Sequence, residues 1–286
     1  MNQRRCTLLT IFLALIHIAC DTPAAVQPAT RPTSIVSLSP AATDLIVAMG
    51  LKDRIVGVSA WEADPELKKR PVVGDYERVD WEKLSELRPG FLVVQGRVER
   101  LPPGLKQRSD QLGIELVDLQ IDRLGDIDLA VKRLGSVLNE SNAADAFVQA
   151  QRRRLSKYDN VAPNQAVPAL IVHSENGKSV AGRDNFLDDV LQLAGGVNVI
   201  EAKGYVTLDQ EKLLTLRPTV VFILMPGASE ATVAAAIQSV KSVDTMPAVK
   251  DNRIIAITRA DALLPASATP ELVREFYEQL HPARSP

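Results

Sequence analysis

Asp80-Trp81-Glu82-Lys83-Leu84-Ser85-Glu86-Leu87-Arg88-Pro89 recurs 129 residues later as Asp209-Gln210-Glu211-Lys212-Leu213-Leu214-Thr215-Leu216-Arg217-Pro218, with seven of the ten positions identical. Each copy ends on a proline and runs into an apolar stretch, Phe91–Val94 in the first case and Val220–Leu224 in the second. Both therefore read as a short helix, a proline stop and a strand, placed equivalently in two related halves. Outward from these units, short apolar runs alternate with amphipathic stretches. Candidate strands are Ile35–Leu38, Ile55–Val58, Phe91–Val94 and Ile114–Val117, then Ala169–Val172, Val197–Ile200, Val220–Leu224 and Ile254–Ile257. Such alternation predicts an α/β chain with mainly parallel sheets. Ser39-Pro40 supplies an N-cap and a first-turn proline for a helix over Ala41–Met49, which Gly50 closes.

Between the two sets lies a polar helical region. Apolar residues recur at helical spacing over Asp126–Leu138 and again over Asn142–Tyr158, with a break at Asn139–Asn142. The expected architecture is two similar lobes, 34–124 and 161–286, joined through residues 125–160 by a long rigid interlobe α-helix. A stiff connector predicts little relative movement of the lobes. Gln151-Arg152-Arg153-Arg154 reads as a solvated helix face.

Composition narrows the function. The chain has 286 residues, 46% hydrophobic and 24% charged, with a formal net charge of −2, which fits two globular domains and gives no basic footprint for nucleic acid. Both cysteines, Cys6 and Cys20, fall in the first twenty residues, so the body has no disulfide, cysteine nucleophile or cysteine metal site. Of three histidines only His173 lies well inside the body; this disfavours a histidine metal cluster or a Ser-His-Asp triad, and His173 reads as a hydrogen-bonded loop residue. Nucleophile-elbow, dinucleotide, P-loop and zincin motifs are absent. No catalytic residue, resident cofactor or metal is expected. An extracytoplasmic enzyme working through a carboxylate pair stays as a rival reading.

Met1–Arg5 is basic, Thr7–Ala19 is apolar and too short to span a bilayer, and a Pro/Ala/Thr-rich stretch follows. The order predicts an export signal over 1–19 and a flexible tether over 20–33. Ile16-His17-Ile18-Ala19-Cys20 resembles a bacterial lipoprotein signal, which implies lipidation of Cys20 and anchoring at the extracytoplasmic face of a membrane; His17 departs from the usual aliphatic residue.

Ile35-Val36-Ser37-Leu38-Ser39-Pro40-Ala41-Ala42-Thr43-Asp44-Leu45, Ile55-Val56-Gly57-Val58-Ser59, Glu82 to Val94 and Leu193-Ala194-Gly195-Gly196-Val197-Asn198-Val199 together resemble the periplasmic binding proteins of ABC importers for cobalamin, ferric siderophores and haem. The resemblance runs over roughly Ser34 to Pro282. Val58-Ser59-Ala60-Trp61 and Gly74-Asp75-Tyr76 are most similar to the cobalamin binders. It implies a monomer with an interlobe cleft that captures a metal chelate and passes it to permease and ATPase subunits in the inner membrane. Trp61, Tyr76 and Tyr205 match positions where such proteins set aromatic rings against a corrin, in a chain only 4% aromatic. Gln95 stands where another tryptophan can occur. Arg183 and Asp261 are candidate polar ligand contacts. Glu82 and Glu211, equivalent in the repeat, match glutamates that meet arginines on the permease; a helix N-terminus would favour them too. The same resemblance leaves three ligands open, with Tyr76 or Tyr205 a candidate axial oxygen for haem, and leaves open a sensor that does not transport.

Overall fold

Ile35 and Val36 are branched at Cβ and wholly buried, the pattern of a parallel strand covered on both faces. They form β1 (Ile35–Ser37), the centre of a sheet with β2 (Ile55–Ser59), β3 (Val72–Gly74), β4 (Phe91–Gln95) and β5 (Glu115–Leu119). The order is β3-β2-β1-β4-β5, all parallel. The computed structural model describes residues 32–75, 77–96, 101–158 and 165–282, apart from the side chain of Gln210. The signal, Cys20, most of the tether and Tyr76 lie outside the described residues.

The second sheet comprises β6 (Val167–Val172), β7 (Ser179–Ala181), β8 (Gly196–Asn198), β9 (Tyr205–Thr207), β10 (Val220–Leu224) and β11 (Ile254–Ile257). Its order is β11-β10-β6-β7-β9, with β8 alongside β6. Strands β8, β10 and β11 run parallel to their neighbours, but β7 is antiparallel to both β6 and β9. This sheet is therefore mixed, where the sequence pattern predicts mainly parallel pairing. The predicted strand Val197–Ile200 ends at Asn198 because that side chain turns the chain locally: its amide donates to the Ala181 and Gly182 carbonyls, and its oxygen accepts from the Ile200 N–H.

The helices follow their caps. In α1 (Pro40–Ala48) the Ser39 hydroxyl accepts from the Ala42 N–H, and Gly50 ends the segment at φ +80°. In the repeat, α2 (Trp81–Leu87) is capped by Asp80, which accepts from Lys83 N–H at 3.0 Å, and α7 (Gln210–Thr215) by Asp209, which accepts from Lys212 N–H at 2.7 Å. The copies differ at the far end, where the closing residue is the left-handed Arg88 in the first and, one repeat position earlier, the extended Leu216 in the second.

The linker is a pair of helices, α4 (Asp126–Val137) and α5 (Ser141–Leu155), broken where Asn139 adopts φ 58°. They meet closely, since a Cβ on Gly135 would lie 2.5 Å from that of Ala144. Both pack into one continuous core that takes Ile35, Leu45 and Val93 from the first sheet's half and Ile171, Phe222 and Phe276 from the second's. Phe276 lies on α10 (Thr269–Leu280) and Asp189 on α6 (Phe186–Leu193).

Polar ties reinforce this shared core. Arg123 pairs with Asp189, whose carboxylate also accepts the Leu124 N–H at 2.9 Å. Asp44 on α1 accepts from the Ser267 N–H at 2.7 Å and hydroxyl at 3.0 Å, and the Gln151 amide on α5 donates to the Ser267 carbonyl at 3.0 Å. Apolar burial is proportional to area and lost when surfaces separate, so the shared core opposes any large opening of one half from the other. Among the described residues no helix is long and apolar enough to cross a membrane.

Candidate ligand-binding site

In open α/β sheets ligands gather beyond the carboxyl ends of the strands, where neighbouring loops diverge. The loop after β2 carries Trp61, which is 65% exposed although large and apolar. Its position is fixed from two sides. The Trp61 N–H donates to the Ser59 hydroxyl at 3.1 Å, and Ala60 N–H donates to the Gly74 carbonyl at the end of β3. The Trp61 side chain also lies near the Asp75 carboxylate. The Glu77 N–H and Arg78 N–H bonds, at 2.8 and 3.0 Å, hold the Asp75 acid below its ordinary value, and the nearby Trp61 side chain adds to this. An exposed ring on an anchored loop is a ready-made contact surface.

On the second sheet Tyr205, at the start of β9, is 55% exposed. Its ring meets that of His173, just past β6, edge to face at 5.2 Å and 86°. Desolvation raises the Tyr205 phenol above its ordinary value and lowers the His173 imidazole, whose backbone hydrogen bonds act in the opposite sense. Both groups are thus neutral at neutral pH. The Nε2 of His173 is buried without a partner among the described residues, which departs from the hydrogen-bonded histidine expected.

The remaining predicted residues fall in separate places. Gln95, at the end of β4, accepts from the Ser39 hydroxyl at 2.8 Å and so ties the loops after β1 and β4. Arg183 has an exposed side chain, with its backbone bridged to the segment at Lys203. Asp261, after β11, grips the Arg259 guanidinium, which also reaches Glu275 at 3.1 Å. Glu82 and Glu211 sit exposed in the first turns of α2 and α7 and make no ion pair among the described residues. Trp81, beside Glu82, packs against the Arg108 guanidinium at 5.3 Å.

One cavity of ≈460 Å³ is bounded by α1, by the loop that continues from Trp61, and by the segment after β11, so it draws on both halves of the chain. Asp261 lines it together with Asp44, Glu62, Asp64 and Arg259. Sequence reasoning passed over Asp44, Glu62 and Arg259, because the pattern of a loop or helix face does not reveal which distant segment it meets. The one signal available is the acidic run directly after Trp61. No group of three or more His, Cys, Asp and Glu among the described residues is arranged to hold a metal ion.

The description of a periplasmic binding protein matches residues 35–260. The chain belongs to this family. The match covers both sheets of the binding protein and stops next to the cavity's Asp261. A curated relative, an uncharacterized ABC transporter substrate-binding lipoprotein YvrC of Bacillus subtilis, is 24% identical over 88% of this chain and 81% of its own length. A vitamin B12-binding protein of Vibrio cholerae is 25% identical over 73% of this chain and 78% of its own. Among solved structures, a periplasmic heme binding protein from Pseudomonas aeruginosa superposes with a TM-score of 0.77 and 25% identity, covering 89% of this binding protein and 95% of that chain. The ligands named for these relatives differ, vitamin B12 for one and heme for another. Membership of a periplasmic family places the binding protein outside the cytoplasm.

Proposed function

We propose that this protein captures a cobalamin-type corrinoid between its two sheets and delivers it to an ABC permease, held at the membrane by a lipid on Cys20. The observation that carries the reading is Trp61: a large ring left mostly in water, on a loop anchored through its backbone to Ser59 and Gly74. Tyr205 offers a second exposed ring on the other sheet. Wide, flat macrocycles need such rigid apolar contacts. The vitamin B12-binding relative supports the choice of corrinoid. Haem is the second reading, favoured by the haem-binding neighbour and by the Tyr205–His173 pair. The shared core suits a receptor that closes little on its ligand, so binding should rest on preformed surfaces.

Equilibrium dialysis against cyanocobalamin, cobinamide, haem and a ferric siderophore tests this. Saturable binding of a corrinoid is expected, and Trp61→Ala should weaken it about 10- to 100-fold, the loss of one well-placed aromatic contact. Binding of haem alone would transfer the assignment to the second reading, and binding of none would remove capture altogether. Mass spectrometry of the membrane fraction is expected to find a diacylglyceryl-modified Cys20 as the first residue; an unmodified Cys20 overturns the anchor.

A further inference from the structure

Glu62 follows Trp61 directly and is only 6% exposed. One carboxylate oxygen accepts from the Ala63 N–H at 2.8 Å and the Asp64 N–H at 2.9 Å. The other, Oε2, is buried and has no hydrogen-bond partner among the described residues. Glu62 lines the ≈460 Å³ cavity. Buried carboxylate oxygens are almost always satisfied, and one that is not calls for a donor.

The surrounding charges specify that donor. Asp44, Asp64 and Asp261 also line the cavity. Asp44 is engaged by Ser267, Asp64 by Lys52 and by the Glu66 N–H, and Asp261 by Arg259. Arg259 is the only basic residue among the described residues of the lining, and Asp261 and Glu275 already occupy its guanidinium. Among the described residues of the lining no cation is left over to receive a ligand carboxylate, whereas Glu62 still has an acceptor without a partner.

We infer that this cavity is a polar subsite for hydrogen-bond donors on the ligand's edge, with Glu62 Oε2 accepting from a primary carboxamide, and that it rejects ligands presenting carboxylates there. The inference rests on the capture reading above and sharpens it. A corrinoid carries carboxamides around its ring, and haem carries two propionates, which would face four carboxylates in a confined space. A cavity of ≈460 Å³ lies low in the usual range for small-molecule sites, about 300–1,000 Å³. It is sized for the substituted edge of a macrocycle and not for the whole disc, and Trp61, one residue before Glu62, stands outside its lining. Discrimination by an unpaired buried polar group is steep, because the wrong ligand leaves that group unsatisfied or repelled.

The test compares two corrinoids with the same ring: dicyanocobinamide, whose periphery is carboxamide, and dicyanocobyrinic acid, whose periphery is free carboxylate. Equilibrium dialysis at neutral pH should show the wild-type chain binding the amide form at least about 10-fold more tightly, one hydrogen bond to a charged group being worth that much. Glu62→Leu should weaken cobinamide by about the same factor and leave the carboxylate form unchanged or improved. Glu62→Gln keeps an oxygen for the Ala63 and Asp64 amides and removes the charge, so it should narrow the preference even if the leucine variant folds poorly. Thermal unfolding of each variant separates folding loss from binding loss. Equal binding of the two corrinoids by the wild type, or an equal loss of both in a folded Glu62 variant, overturns the subsite while leaving corrinoid capture standing. Binding of haem but neither corrinoid, or of none of the three, overturns both.

Discussion

Truncation of Phe222 to alanine is expected to cost about 3–5 kcal/mol of folding stability. Phe222 lies in the middle of β10, fully buried, with β6 on one side and β11 on the other. Its ring lies flat on that of Phe276 from α10, with centroids 4.0 Å apart and planes 3° from parallel. Both rings are fully buried, so removing one leaves a void that strand and helix cannot collapse to fill. Domains are stable by only about 5–15 kcal/mol, so a single truncation here removes a large share of the total. Phe222→Leu keeps most of the volume and should lose much less, of the order of 1.5 kcal/mol. Urea denaturation followed by circular dichroism measures both variants. Because Phe222 and Phe276 belong to the same core cluster as Ile35, Leu45 and Leu134, both halves should unfold in one cooperative transition. A Phe222→Ala protein within about 1 kcal/mol of the wild type, or one that unfolds in two separated steps, would refute that account of the core.

The contrast between what was legible in the sequence and what was not follows from how far each feature depends on distant chain. Val220–Leu224 and Ile35–Val36 announce themselves because central parallel strands are apolar on both faces. The repeat announces its helices because Asp80 and Asp209 cap locally, three residues from the amides they bind. Strands β7 and β9 carry no such mark. Each has three residues, and each exists because it pairs with the other and, for β7, with the end of β6. The antiparallel part of the second sheet is therefore a tertiary outcome. The site divides in the same way. Trp61 and Tyr205 stand out as large rings in a chain with few, and both are exposed. The role of Asp44 depends on Ser267, 223 residues away, and that of Glu62 depends on the cavity which α1 and the segment after β11 close around it. Nothing in the local pattern of either carboxylate carries that information.

The largest functional effect is expected at the two ends of the repeat. Reversing both charges, Glu82→Lys with Glu211→Lys, should reduce stimulation of the cognate transporter's ATPase to its basal rate in proteoliposomes, with ligand affinity within about 2-fold of the wild type. A purely structural account of these glutamates is that they serve their own helices. The caps weaken it: Asp80 and Asp209 already satisfy the amides of Lys83 and Lys212, which leaves Glu82 and Glu211 only the helix dipole, a term of at most about 1 kcal/mol each. Both are exposed and without an ion pair among the described residues, so each is free to meet a cation on another protein. Two equivalent carboxylates on two related helices form a matched pair, and a matched pair fixes orientation as well as contact. Charges at the rim of an interface govern encounter and register, so the double reversal should act by misaligning or repelling the partner and not by unfolding the receptor. Each single reversal should leave partial stimulation, and raising the salt concentration should weaken stimulation by the wild-type protein, because exposed pairs are screened beyond about 8–10 Å at physiological ionic strength. If the double variant folds, binds its ligand and still stimulates fully, the docking role is lost and the dipole is all that remains for these two residues.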